Sequence, residues 1–387
     1  MSDYSKYSPQ TRFAHMARPK AGLGTPVNTS IQRASTLLFE RAEDLYRGDV
    51  RGYGRHGVEV HDNLKDIFCE LEGGKGASLT PSGLAACTLA IMSIVKAGDH
   101  LLLTDSTYGP VRNFCLNYLN TIGVETEIYD PHIGGNIESL IRDNTSLIWL
   151  ESPGSLTFEI QNLPAIATAA KARDVTTIID NTWSGGITLK PLSLGIDISV
   201  HSATKYFGGH SDLLAGVVIS GSENLAKKVA QTSKYIGHSL AADDAYQILR
   251  GMRTVFPRFQ QAESTALELA QWLSERSDVE LVLHPALPEH PDHALWARDF
   301  TGGACTFSFT LKDKTEAHAV KFINGLNIFG IGYSYGGFES LAIHCGPQLK
   351  RSLSKQNFKG PLVRLACGVE ASKDLIHDLK QGFNAIS

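Results

Sequence analysis

Lys205 comes just after an apolar stretch, Asp197-Ile-Ser-Val-His-Ser202. A strand over that stretch projects the lysine amine into the cleft beyond the strand end. Partial burial disfavours an ammonium, lowers its pKa and leaves an amine fit to capture a carbonyl as a Schiff base. Taken alone, a lysine is more often a solvated surface group, so its company decides. Asp180 ends a second apolar stretch, Thr176-Thr-Ile-Ile-Asp180. A carboxylate there suits the protonated ring nitrogen of pyridoxal phosphate and keeps that ring an electron sink, although Asp180-Asn181 also fits an Asx turn. Ser202 and Thr204 flank the lysine with hydroxyls suited to a phosphate. Gly83 and Leu84 open a helix, where free N–H groups and the dipole favour an anion. Gly83 also allows close backbone approach without a Cβ.

The elements that must position these groups are legible as an alternation. Residues 100–105, 124–130, 146–152, 176–183, 197–202 and 215–220 read as strands, several of them short apolar runs of the kind buried on both faces. Helical stretches such as 163–174 separate them, and 63–73 and 84–99 precede them. Repeated β–α units imply a parallel sheet covered by helices, and ligands of such sheets bind at the carboxyl ends of the strands. The joins there, D-S-T-Y-G, E-S-P-G-S, D-N-T-W and S-A-T-K, carry the reactive side chains. Residues 243–278 read as one long helix or two. Beyond Pro285 the pattern is mixed, with 303–313 and 362–370 as strands and 316–326 and 372–383 as helices. We therefore expect three parts: an N-terminal arm over 1–60, polar and turn-rich, that lies across a neighbouring surface; a large α/β domain over 61–254; and a smaller C-terminal α/β domain over 255–387.

Composition removes other classes. The chain has 387 residues, 42% hydrophobic and 20% charged, with a formal net charge of −4. No basic excess exists to neutralise phosphates, so no nucleic-acid partner is expected. No apolar run approaches the ~18 residues of a membrane span. The first residues lack the apolar core of a signal peptide. Six cysteines, Cys69, Cys87, Cys115, Cys305, Cys345 and Cys367, lie far apart without a C-x-x-C pair. That spacing is neither a disulfide framework nor a metal pattern and reads as reduced thiols in a cytoplasm. Gly52-Tyr-Gly54-Arg-His-Gly57 matches G-x-G-x-x-G, but no strand precedes it, so the dinucleotide mechanism lacks its context. Ser202-Ala-Thr-Lys205 matches the S-x-x-K of penicillin-recognising enzymes without the S-D-N and K-T-G companions. His201 and His210, either side of the lysine, read as core histidines.

The run Asp180-Asn-Thr-Trp183, followed by Ser199-Val-His-Ser-Ala-Thr-Lys-Tyr206 and Gly209-His-Ser-Asp212, resembles the cofactor-lysine region of the Cys/Met-metabolism pyridoxal-phosphate enzymes. The likeness spans nearly the whole chain through YGR at 53–55, LEGG at 71–74, SGLAA at 82–86, TYGP at 107–110, ESPGS at 151–155, YSYGGFESL at 333–341 and LVRL at 362–365. It is nearest to the bacterial cystathionine β-lyase branch. The resemblance implies the aspartate-aminotransferase architecture, fold type I of the PLP-dependent transferases. It implies Lys205 as the residue that carries pyridoxal 5'-phosphate, Asp180 at the ring nitrogen, Tyr108 stacked on the ring, and Gly83, Leu84, Ser202 and Thr204 around the phosphate. Tyr53 and Arg55 would reach the phosphate and substrate of a neighbouring subunit in a homotetramer built as a dimer of dimers. Arg364, helped by Ser334, would hold the substrate carboxylate in a bidentate fork, a domain-interface ion pair being its other reading.

The same resemblance separates two reactions. Relatives that act at Cγ commonly carry Glu at the position of Tyr333, followed by S-L-G-G, together with E-S-P-T-N-P; this chain has Tyr333-Ser334-Tyr335-Gly-Gly and Glu151-Ser-Pro-Gly-Ser155. Methionine γ-lyases place Cys where Gly109 stands. All three departures imply elimination at Cβ, with Lys205 as the base at Cα and Tyr108 as a second acid/base. The implied activity is a carbon–sulfur lyase converting cystathionine to homocysteine, pyruvate and ammonia in methionine biosynthesis. The alternatives are a cystathionine γ-lyase or γ-synthase, and a regulatory protein with residual lyase activity. His56, Asn113 and Tyr335 depart from the close β-lyases near the distal end of the substrate, which leaves cystine, cysteine and djenkolate open as substrates.

Overall fold

Short apolar runs become strands because both of their faces are covered. The protein, described here by a computed structural model, is defined over residues 6–353 and 358–387. Seven strands form the first sheet: β1 (Gly76–Thr80), β2 (His100–Thr104), β3 (Glu125–Tyr129), β4 (Thr145–Glu151), β5 (Thr176–Asp180), β6 (Ile198–His201) and β7 (Gly216–Ser220). Their order is β1-β7-β6-β5-β4-β2-β3. β7 runs antiparallel to both of its neighbours; all other pairs are parallel. The carboxyl ends of β1, β2, β4, β5 and β6 therefore share one edge, where ligands of such sheets bind.

Helices α1 (Pro9–His15), α2 (Glu59–Glu72), α3 (Gly83–Met92), α4 (Gly109–Asn113), α5 (Leu163–Ala172), α6 (Glu223–Ile236), α7 (Ala242–Met252) and α8 (Val255–Ser274) surround or extend this sheet. Alternate strand residues serve opposite layers. Leu101, Leu103, Trp149, Ile178 and Val200 pack with Leu89 and Ile91 of α3. Leu102, Ile148, Leu150, Ile179 and Val217 join Leu64, Ile67 and Phe68 of α2 and Ile248 of α7. Gly73 ends α2 in the left-handed region at φ 74°, a conformation that favours glycine.

A second sheet, ordered β10-β11-β12-β9-β8, is built from β8 (Val279–Leu283), β9 (Thr306–Leu311), β10 (Gly330–Ile331), β11 (Leu341–His344) and β12 (Leu362–Ala366). Its apolar side meets α8, α10 (Glu316–Asn324) and α11 (Ser372–Asn384) through Leu269, Leu273, Phe322, Leu379 and Phe383. The remaining helix, α9, spans His293–Asp299.

Several boundaries differ from the sequence reading. β1, β8, β10 and β11 are strands beyond those the sequence reading expects, while the strands expected over 176–183 and 362–370 stop at Asp180 and Ala366. The long helical stretch is two helices, parted at Arg253-Thr254. The polar N-terminal stretch contributes to the core through Phe13, Val58 and Val60; Phe13 of α1 meets Phe256 edge-on at 5.3 Å and has its carbonyl held by Arg253. Between Ala21 and Val50 almost every residue is exposed.

His284 and His290 are buried in the connection from β8 to α9. Burial lowers the first to about 3 and the second to about 4, from the ordinary 6.5. Both stabilise the neutral form in the folded state. Their contribution is intact above pH 6.5 and is lost as pH falls from there through 4 toward 3. His132, raised to about 9 chiefly by its hydrogen bond with Asp292, acts oppositely and loses its contribution as pH rises through 9. The denaturant midpoint is expected to fall between pH 7 and pH 5. The substitution His290→Asn keeps an acceptor for the Asp292 N–H and should flatten that fall; an unchanged slope would contradict the assignment.

Candidate active site

Three of the parallel strands deliver chemistry to the shared edge. Directly after β6, Ser202-Ala-Thr-Lys205 turns back, with the Lys205 N–H donating to the Ser202 carbonyl at 3.1 Å. The Lys205 amine donates to Ser334 Oγ at 2.7 Å and lies 5.1 Å from the ring centre of Tyr335. Its pKa falls to about 8, first through burial and then through the charge of Arg364, with Asp180 opposing. A substantial fraction of this amine is therefore neutral near physiological pH, which is the state that attacks a carbonyl.

Asp180 closes β5 beside it, its Oδ1 accepting the Thr182 N–H at 3.0 Å. The Cys87 thiol of α3 points to Oδ2 at 3.8 Å. On the next strand Glu151 ends β4 and is the register partner of Asp180. Tyr108 stands between β2 and α4 with its side chain half exposed, at 46%. Burial first, and then Asp180, push its phenol up rather than down.

The first turn of α3 forms an anion cradle with the end of β6. Ser82 caps the helix by accepting the Ala85 N–H at 3.1 Å. The N–H groups of Gly83 and Leu84, at the first two helical positions, have no intrahelical partner. A Cβ on Gly83 would stand 2.5 Å from both Cβ and Oγ of Ser202, so only glycine lets the helix end approach this hydroxyl. The Ser202 N–H is itself fixed by Thr182 Oγ1 at 2.9 Å. Thr204 is less free than expected: its hydroxyl exchanges hydrogen bonds with the backbone of Ala215 at 3.0 and 3.2 Å.

Arg364 comes from β12 in the second sheet. It donates through NH2 to the Ser334 carbonyl at 3.0 Å, so Ser334 contacts both cations, by its hydroxyl and by its backbone. Ser334 adopts φ 105°, a region that strains any residue but glycine. Among the described residues the buried Nε of Arg364 has no partner, a donor left for an incoming anion. Tyr335 packs edge-on to Tyr206 at 5.9 Å, while Tyr333 is 74% exposed.

Lys205, Asp180, Gly83, Ser202, Arg364, Ser334 and Tyr335 thus connect through direct contacts or adjacent strand ends. Tyr53 and Arg55 do not join them within the chain. Both are exposed and line a separate surface groove with Gln32, Arg33, Ser239 and Leu240. His201 is fully buried against Glu72, Nε2 to Oε1 at 2.7 Å, and His210 lies on the surface. Sequence reasoning assigned no role to Glu151, Cys87 or Thr182. Their signal was positional only: Glu151 and Thr182 lie within the joins at strand ends, and Cys87 directly follows the SGLAA run at 82–86.

The donor set fits pyridoxal 5'-phosphate: a partly neutral amine for its aldehyde, a carboxylate for its ring nitrogen and a Cβ-free helix terminus for its phosphate. Comparison with known proteins agrees. Residues 10–384 match the family model described as Cys/Met metabolism PLP-dependent enzyme. A cystathionine β-lyase of Haemophilus influenzae is 39% identical over 99% of this chain and 100% of its own. One from Escherichia coli K12 is 38% identical over 97% of this chain and 98% of its own. The crystal structure of cystathionine γ-lyase from Lactobacillus plantarum, complexed with L-serine, superposes with a TM-score of 0.90 at 28% identity and covers 98% of this chain and 99% of its own. The chain belongs to the Cys/Met-metabolism family of PLP-dependent enzymes and uses pyridoxal 5'-phosphate as its cofactor.

Proposed function

We propose that this protein is a carbon–sulfur lyase that eliminates at Cβ of L-cystathionine, taking up water to give homocysteine, pyruvate and ammonia in methionine biosynthesis. The observation that carries this reading is the partly buried pair of Lys205 and Arg364 bridged by Ser334. It puts a proton-accepting amine at a fixed offset from a carboxylate-binding guanidinium. The β-lyase relatives support the substrate.

Pyridoxal 5'-phosphate, when bound, supplies an aldehyde that condenses with amines and a ring that stores carbanion charge. Lys205 would carry it, Asp180 would hold the proton on its ring nitrogen, and Gly83, Leu84 and Ser202 would receive its phosphate, joined by Thr204 once its hydroxyl turns from Ala215. The Tyr108 side chain would cover its ring. Arg364 and Ser334 hold the substrate carboxylate, with the orphaned Nε as one arm of the fork. That clamp directs Cα toward the Lys205 amine, which removes the α-proton and returns a proton to the departing sulfur. Tyr333 and Tyr335 wall the side on which the distal part of the substrate lies. Neither offers a carboxylate to remove a second proton from Cβ, as elimination at Cγ requires. Cystine and cysteine share the β-sulfur and are further substrates.

Tyr53 and Arg55 serve a neighbouring subunit's site in a cytoplasmic homotetramer, a dimer of dimers. Their exposure, and that of Leu38 and Tyr46 in the same arm, supports this reading.

Incubation with cystathionine should release pyruvate and homocysteine; 2-oxobutyrate and cysteine would indicate the γ-lyase instead. The substitution Lys205→Ala should lower turnover by about 10³-fold and remove the yellow, borohydride-reducible absorbance, and a borohydride adduct on another lysine would refute the assignment. Arg55→Ala should weaken cofactor retention. Mixed with Lys205→Ala chains and reassembled, it should regain part of the activity; no recovery would count against shared sites.

A further inference from the structure

The mechanism leaves one buried acidic group at the strand edge without a task. Glu151 is only 9% exposed, ends β4 and stands beside Asp180 in register. Its Oε2 accepts the backbone N–H of Tyr108 at 2.6 Å and the hydroxyl of Thr107 at 3.3 Å. Thr107 Oγ1 in turn accepts the indole N–H of Trp149, two residues before Glu151 on the same strand, at 2.9 Å. The Glu151 N–H donates to Gln161 Oε1 at 3.3 Å, and Gln161 Nε2 reaches back to Thr104 Oγ1, at the end of β2, at 3.0 Å. A closed set of buried hydrogen bonds therefore ties the end of β4 to the two residues that carry the turn into α4.

We propose that Glu151 is a positioning residue for Tyr108, its carboxyl group anchoring the backbone N–H that sets where the aromatic ring stands over the cofactor. The proposal rests on the reading that the Tyr108 ring covers pyridoxal 5'-phosphate. Tyr108 is itself half exposed, so the hold on its backbone bears on where the ring stands. The local electrostatics agree. Burial, and then the charge of Asp180, raise the Glu151 carboxyl well above the usual carboxylate range, while the Tyr108 N–H and Thr107 hydroxyl oppose that rise. A glutamine amide has the shape of this carboxyl group and presents an oxygen to the same N–H.

The test uses holoenzyme and reads three quantities other than turnover: the rate of pyridoxal phosphate release, the visible circular dichroism of the bound cofactor, and backbone amide exchange in the peptide 104–113. Glu151→Ala should raise amide exchange at 107 and 108, weaken the dichroic band and speed release about tenfold. Glu151→Gln should stay within about twofold of the parent in all three, since the amide oxygen accepts the same N–H. In a Tyr108→Ala background, Glu151→Ala should add less than about twofold to release. Three results overturn the proposal: unchanged exchange at 107 and 108 in Glu151→Ala, a Gln variant as impaired as the Ala variant, or a release effect of equal size with and without the Tyr108 ring. If Tyr108→Ala alone leaves release and dichroism unaltered, the ring-covering reading fails, and with it the proposed purpose of the anchor. The exchange data would still show whether the anchor itself exists.

Discussion

Two cations share one small, water-poor space, and much of the surrounding structure follows from keeping them there. Moving an ammonium or a guanidinium out of water is costly unless partners replace the solvent. Burial dominates the lowered pKa of Lys205 and also lowers that of Arg364. Ser334 meets both needs at once, taking the amine on its hydroxyl and the guanidinium on its carbonyl. Its φ of 105° shows what that double duty requires of the backbone; such conformations cost about 1–3 kcal/mol and persist only where the surroundings impose them. What remains unsatisfied, the Arg364 Nε, awaits an anion. An anionic ligand entering this space completes the structure as well as reacting in it.

The rigidity for such an arrangement comes from behind the strand ends. Glu72 of α2 is fully buried and accepts from Asn181 Nδ2 at 2.6 Å and from His201 at 2.7 Å. Asn181 follows Asp180 and His201 precedes Ser202, so one carboxylate joins the tips of β5 and β6 just beneath the groups facing the cleft. The coupling of His201 to Glu72 lowers the pKa of that acid against the opposing effect of burial. Glu72 behind β5 and β6, and Glu151 between β4 and β2, thus do comparable work on adjoining strand pairs. Buried polar networks of this kind specify geometry more than they add stability.

How much of this could be read in the chain depended on how local its cause was. Strands buried on both faces announce themselves by apolar runs, and β2, β4, β5, β6 and β7 were legible on that basis. β1, with Gly76-Ala-Ser-Leu-Thr80, is held by pairing with β7 and by α2 and α6 packed against it, none of which leaves a local pattern. β11 owes its existence to its register with β12. The site divides in the same way. Lys205, Asp180 and Gly83 lie at strand or helix ends whose chemistry is evident from their immediate neighbours. Ser334 touching two cations, Thr204 turned to Ala215 and Glu151 holding Tyr108 depend on contacts between residues 11 to 129 apart in sequence, beyond any periodicity.

The distinction between elimination at Cβ and at Cγ follows from where the carboxylates are committed. A second proton must be taken from Cβ before a γ-substituent can leave, and a free base near the loop 333–341 would serve. Glu339 is the acid of that loop, and both of its oxygens accept from Ser211 Oγ, at 2.6 and 2.8 Å. Asp180 is held at the strand edge by Thr182, and Glu151 by Tyr108. The Tyr108 phenol is pushed up by burial, and Tyr335 lies higher still for the same reason, so neither accepts a proton readily near neutral pH. Among the described residues that line this edge, the amine of Lys205 is the group whose titration falls near the working range. One base suffices when the sulfur sits on the carbon next to the one that is deprotonated, and that arithmetic favours the β-sulfur.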